Sequence, residues 1–134
     1  MQKFELTTKC MEFKGKKLFR IRALIDFANI KAGDLGGYVE KEENLSQHDN
    51  AWVYGDAWVS GNARIYGNAR IYGDAWVYGD ARVSGDVRVY GDAQVYGDAQ
   101  VYGDAQVSGN ARIYGDARVY GNAQVYGDAW VCDN

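Results

Sequence analysis

His48 is the single histidine of the chain and Asp49 follows it, so a general base beside an orienting carboxylate is the first chemistry to weigh. Adjacent residues in a strand or corner point apart, however, which makes a polar corner histidine the simpler reading. No Ser-His-Asp set, Cys-x-x-Cys, phosphate-cradling glycine loop or isolated acid pair accompanies it. Asp or Asn recurs every six residues from Asp56 onward, a spacing that could suggest calcium. Calcium-binding β-rolls instead repeat a nine-residue Gly-Gly-x-Gly-x-Asp-x-aliphatic-x word, absent here, and a turn role explains the acids equally well. These residues imply no metal and no cofactor. What remains is tryptophan and arginine, the types that most often anchor interfaces, and their placement depends on the repeat that carries them.

From Ala51 the chain repeats one six-residue word, Ala-x-Val/Ile-Tyr/Ser-Gly-Asp/Asn, fourteen times over 84 residues without insertion, with Val87 once in place of Ala and Cys132-Asp133-Asn134 closing the last unit in phase. Within Ala-x-Val the side chains alternate, so Ala and Val/Ile face inward and x faces out, as in a short β-strand. Gly tolerates positive φ and Asp or Asn bonds local amides, so each word is one strand and one bend. A chain that bends after every sixth residue closes after three bends and then stacks. The result is a three-sided prism with coils of about 18 residues, strands about 4.8 Å apart and a length of about 22 Å. A charge at an interior site such as Val101 should break the array, and the larger Val87 should require slight bulging.

Residues 1–50 use a different vocabulary of Lys, Phe, Leu, Ile and Glu. Phe4–Thr7 and Met11–Phe13 read as strand pieces, Lys14–Lys17 as a turn, and Leu18–Leu24, with Arg20 and Arg22 alternating with apolar residues, as a further strand. Together they predict a small antiparallel cap over residues 1–36, followed by the repeat domain over 37–134. Gly33–Val39 reads as a degenerate first coil, Glu40–Asn44 as a projecting polar loop, and Leu45–Asn50 as in phase with the later words, with Gln47 in the valine slot. The glycines read as corner punctuation.

The aliphatic positions Val53, Val59 and Ile65 and the small inward positions Ala57, Ala63 and Ala69 resemble the hexapeptide-repeat family of parallel β-helices. That resemblance implies an all-β, left-handed parallel β-helix. The right-handed helices of bacterial polymer-forming cytoskeletal proteins are the structural alternative. The opening, through Phe19–Leu24, Lys31–Glu40 and Asn44-Leu45-Ser46, is similar to that of small prophage-borne members of the family, which are often labelled acyltransferases. Enzymes of this kind use a histidine near a subunit interface and a loop protruding over the acyl donor. This chain offers only His48 and no such loop, and fold alone does not justify the label.

Sorting the outward residues by steps of 18 gives three ladders: Trp52, Arg70, Arg88, Gln106, Gln124; Trp58, Trp76, Gln94, Arg112, Trp130; and Arg64, Arg82, Gln100, Arg118. The second, with three of the four tryptophans, is the first candidate for a partner or self-association surface. Arg64, Arg82 and Arg118 could meet phosphates or a carboxylate-rich protein surface, although solvated arginines that keep a flat sheet soluble are the simpler explanation. Ten corner tyrosines form near-continuous columns, read as structural. The final coil offers strand edges and interior residues at Val125, Val131 and Cys132 to a second copy.

Net charge is −3, with nine basic and eight acidic residues in 1–50 and six Arg against ten Asp afterwards, so no overall basic field announces nucleic acid. No stretch approaches the roughly 18 apolar residues of a membrane span, and the start lacks the apolar run of a signal peptide, so a cytoplasmic protein is expected. Cys10 and Cys132 lie too far apart along a rod to pair and read as free thiols. The expected function is a non-enzymatic, self-associating structural or protein-interaction module, phage- or prophage-encoded by resemblance. It would present flat faces to a host or phage protein, one version being a counter-defence inhibitor. An acyltransferase using His48 and nucleic-acid binding on the arginine ladder are the alternatives. Ice or polysaccharide binding is disfavoured because no repeat position is Thr.

Overall fold

A computed structural model of the chain describes residues 2–13 and 15–133. Three N-terminal strands come first: β1 (Phe4–Phe13), β2 (Lys16–Ala23) and β3 (Leu35–Val39). β1 and β2 pair antiparallel from Phe4 opposite Ala23 to Phe13 opposite Lys16, with an irregularity between Leu6 and Cys10 that joins the two expected strand pieces into one. Gly15, at φ +80°, turns the hairpin, while Lys14, the first residue of the expected turn, lies outside the described residues. β3 runs antiparallel to β2 and parallel to the Trp58-Val59 strand, so cap and solenoid share one continuous sheet.

Beyond the cap the chain is a parallel β-solenoid of about five stacked coils, its strands falling into three sheets. Registers run Trp58 to Trp76 to Gln94 to Arg112 to Trp130, Trp52 to Arg70 to Arg88 to Gln106 to Gln124, and Arg64 to Arg82 to Gln100 to Arg118. A typical unit donates three amides to the coil that follows, as in Arg82 N to Ala99 O (3.0 Å), Ser84 N to Val101 O (2.9 Å) and Asp86 N to Gly103 O (2.8 Å). This leaves the strand backbone satisfied while the Ala and Val/Ile side chains fill the interior, Val101 among them at 0 % exposure. The bulge expected at Val87 is absent. Register continues through Ile71, Val89 and Val107, and Arg88 N still reaches Ala105 O at 3.2 Å.

The corners stack backbone on backbone. At Gly67, φ is +70°, and a Cβ there would stand 2.7 Å from the Gly85 amide nitrogen of the next coil. Gly36 and Gly37 correct the reading of every glycine as corner punctuation. They lie within β3, where a Cβ would meet Val53 O at 2.5 Å and Ala57 O at 2.6 Å, so they serve close strand approach.

The first coil departs from the sequence reading. Val39 pairs with Val59 and Leu45 with Ile65, so both spacings are 20 residues (59 − 39 and 65 − 45) where later coils have 18. Leu45, and not Gln47, takes the aliphatic slot, because two extra residues enter the coil. Nor does Glu40–Asn44 project. A 3-10 turn over Glu42–Asn44 buries Asn44 completely, and its amide nitrogen donates to Gly61 O (3.1 Å) and Ala63 O (2.9 Å), edge carbonyls that no full strand covers. The freed Gln47 accepts the Lys3 and Phe4 amides (2.7 and 3.1 Å). Lys3, at 1 % exposure, donates from Nζ to Asp49 O (2.8 Å) and Ala51 O (2.7 Å). Burial pulls its pKa down to about 8 against the opposing pull of Asp49. No helix among the described residues is long and apolar enough to cross a membrane.

Two substitutions test this packing. Val101→Asp should lower unfolding stability by about 4 kcal/mol or more in denaturant titration, since it buries an unpaired carboxylate. Gly55→Ala, at φ +58° with open space around the added carbon, should cost about 1–2 kcal/mol from backbone strain alone. Gly67→Ala should cost clearly more, because it adds the collision with Gly85.

Candidate functional site

In every unit but the last, where Cys132 stands instead, the outward position is flanked by a corner tyrosine or serine on one side and an Asp or Asn on the other, so chemistry can be assembled only along the columns. On the sheet shared with the cap, the Trp58 and Trp76 rings stack at 4.3 Å with 23° between planes. That separation is close to the strand spacing, so the half-buried indoles stack along the coil axis. A depression of about 440 Å³ on one side is lined by Asp56, Asp74, Asp92 and Gln94 with the two indoles. On the other side a cleft of about 240 Å³ is walled by Lys16 and Leu18 of β2 with Ser60 and Tyr78. Further down, the Arg112 guanidinium lies 5.4 Å from the Trp130 ring centroid, and Tyr114 meets the same ring edge-on at 6.5 Å. The structure therefore brings Trp58, Trp76, Arg112 and Trp130 onto one sheet, with Gln94 between the two pairs.

Arg64, Arg82 and Arg118 share the second sheet, where the first two are direct neighbours. Among the described residues no carboxylate oxygen lies within 4.0 Å of these guanidiniums. The third face corrects one reading. Trp52 holds an outward position yet is only 1 % exposed, because the N-terminal segment folds over it, with Phe4 and Phe27 meeting its ring edge-on at 6.3 and 5.3 Å. Val125 and Val131 lie in the last coil, partly buried against the core, and Cys132 beside them is exposed.

Three carboxylates, Asp80, Asp98 and Asp116, stack in one corner column. At the ends of such runs an asparagine replaces an acid, as where Asn62 donates to Asp80 (3.2 Å) and Asn68 to Asp86 (3.0 Å). Asp98 has an acid above and below, and its carboxyl is held above the usual range by desolvation between them and then by their charges. The tyrosine columns stack as parallel rings: Tyr72 on Tyr90 at 5.1 Å, Tyr78 on Tyr96 at 4.9 Å and Tyr102 on Tyr120 at 5.4 Å.

His48 is exposed, and the carboxylate beside it is otherwise engaged. Asp49 accepts the Gly67 amide (2.6 Å) and the Ala51 amide (3.2 Å) and stands 3.8 Å from Lys3 Nζ. The sequence reading missed Lys3, Asn44 and Gln47 because the partners of Lys3 and Gln47 lie 43 to 48 residues away, and the carbonyls to which Asn44 donates lie 17 and 19 away, outside any local pattern.

Strands of two residues, a bend every six and coils stacked in register define a β-solenoid of short repeats. The YdcK β-solenoid repeat matches residues 63–79, 81–97, 93–109, 105–121, 111–127 and 117–133, more than half of the chain, and the chain belongs to that family. No curated protein matches it.

The acid column yields a pH prediction. A carboxyl whose folded pKa is raised contributes most to stability below its ordinary value of 3.8, and that contribution is lost as pH rises through the folded value. Asp98→Asn should therefore raise the thermal midpoint at pH 7, and the gain should vanish near pH 3, where Asp98 is protonated in the parent as well.

Proposed function

We propose that this protein is a non-enzymatic interaction module, a rigid solenoid that docks a protein surface on the face bearing Trp58, Trp76, Arg112 and Trp130. The supporting observation is the stacked Trp58–Trp76 pair, half-buried between the Asp56–Asp74–Asp92 column and the Lys16–Leu18 wall. Aromatic rings held in a fixed stack lose little conformational freedom when a partner covers them, which is the economy of interface hot spots. The arginine next to Trp130 adds a planar donor set at the other end of the same sheet. The partner is a second copy of the chain or a host or phage protein. The similarity of the opening residues to prophage-borne proteins favours a phage-derived module that occupies a host component, as a counter-defence inhibitor would. The acyltransferase reading is weaker, since Asp49 is already held by Gly67, Ala51 and Lys3.

Sedimentation equilibrium at micromolar concentration and affinity capture from host lysate test this reading. The parent should self-associate or retain a specific partner, and Trp76→Glu should weaken that association by about 30-fold or more. A combined Arg64→Gln and Arg82→Gln variant should behave as the parent. A monomeric parent that captures the same proteins as Trp76→Glu would contradict it.

A further inference from the structure

A different face carries a second site, independent of the tryptophan surface. Arg70 and Arg88 stand opposite each other on adjacent parallel strands, and so about 4.8 Å apart along the column. Together with Tyr54, Tyr72 and the cap residue Asn29 they line a hollow of about 350 Å³, the size of a small-ligand pocket. No carboxylate lines it among the described residues. The acid at the neighbouring corner, Asp86, accepts a hydrogen bond from Asn68, and among the described residues none lies within 4.0 Å of either guanidinium. The hollow on the Arg64–Arg82 side differs in that Glu43 lines it, and the depression beyond contains Asp80 and Asp98.

The tyrosine column changes at the same place. Tyr72 and Tyr90 stack within 7° of parallel, but Tyr54 is turned to 79° from Tyr72 at 6.0 Å, its hydroxyl directed to Asn29 Oδ1 at 3.5 Å. The turn leaves a ring face and a ring edge around the paired guanidiniums, closed on one side by the cap.

We infer that this hollow binds a small phosphate monoester carrying a planar ring, of the nucleoside 5′-monophosphate class. The phosphate lies across the Arg70 and Arg88 guanidiniums and the ring lies against Tyr54 and Tyr72. Two adjacent planar donor forks match the oxygens of a dianion, and their mutual repulsion, with no carboxylate within 4.0 Å of either among the described residues, falls when the anion binds. The aromatic walls supply a surface for stacking that inorganic phosphate does not use.

Isothermal titration of the full chain with AMP, adenosine and inorganic phosphate tests the assignment, with circular dichroism to show that each variant is folded. AMP should bind more tightly than either fragment. Arg70→Gln and Arg88→Gln should each weaken AMP by about tenfold, while Arg64→Gln combined with Arg82→Gln should leave it unchanged. Tyr72→Leu should weaken AMP and leave inorganic phosphate as it was. No AMP binding at millimolar concentration, or equal loss in the Arg64/Arg82 variant, would overturn the site. Inorganic phosphate binding as tightly as AMP would overturn the ring subsite and with it the ligand class.

Discussion

The bend at each corner is the constraint on which the rest of the molecule depends. Glycine at positive φ lets successive corners stack with amide against amide, and the Asp or Asn that follows donates its own amide to the glycine carbonyl of the next coil, as from Asn68 to Gly85 at 2.9 Å. Because three such bends close a coil, the strand between them has room for only one outward residue. Every property of a face is therefore a property of a column at intervals of 18, and the inward Ala and Val exist to fill a prism whose cross-section the corners have already set.

The same regularity explains what was legible in the sequence. An unbroken six-residue period fixes the coil length, and with it the neighbours of Trp76, Arg82 and Arg88, so the three ladders of the structure are those of the sequence. Where the period fails, so does the reading. The first coil contains two extra residues, and its open strand edge is covered by side chains whose partners are distant in sequence: Asn44 on Gly61 and Ala63, Gln47 on the amides of Lys3 and Phe4, Lys3 on the carbonyls of Asp49 and Ala51. Each is a polar group that local pattern would place in solvent. The burial of Trp52 follows from the same event, since the segment that brings Lys3 into place also brings Phe4 over the indole.

Sealing the edge in this way has a physical logic. An open parallel coil presents unpaired donors and acceptors, the usual origin of uncontrolled strand addition. Here side-chain amides and one buried ammonium stand in for the missing strand, which leaves the lateral faces as the surfaces that differ in character. One is aromatic with an arginine at its far end. A second alternates arginine with a crowded acid column, and the third pairs two arginines beside tyrosines at the cap. A scaffold with so few internal degrees of freedom presents these groups with little ordering cost on binding.

Cysteine cross-linking on a background with Cys10 and Cys132 replaced by Ser measures the coil length most directly. Gln94→Cys with Arg112→Cys joins positions 18 apart that are paired neighbours on one face, whereas Gln94→Cys with Arg118→Cys joins positions 24 apart on different faces. The account predicts rapid intramolecular disulfide formation in the first pair and none in the second. Cross-linking of the second pair in preference to the first would contradict the three-unit coil and every face drawn from it.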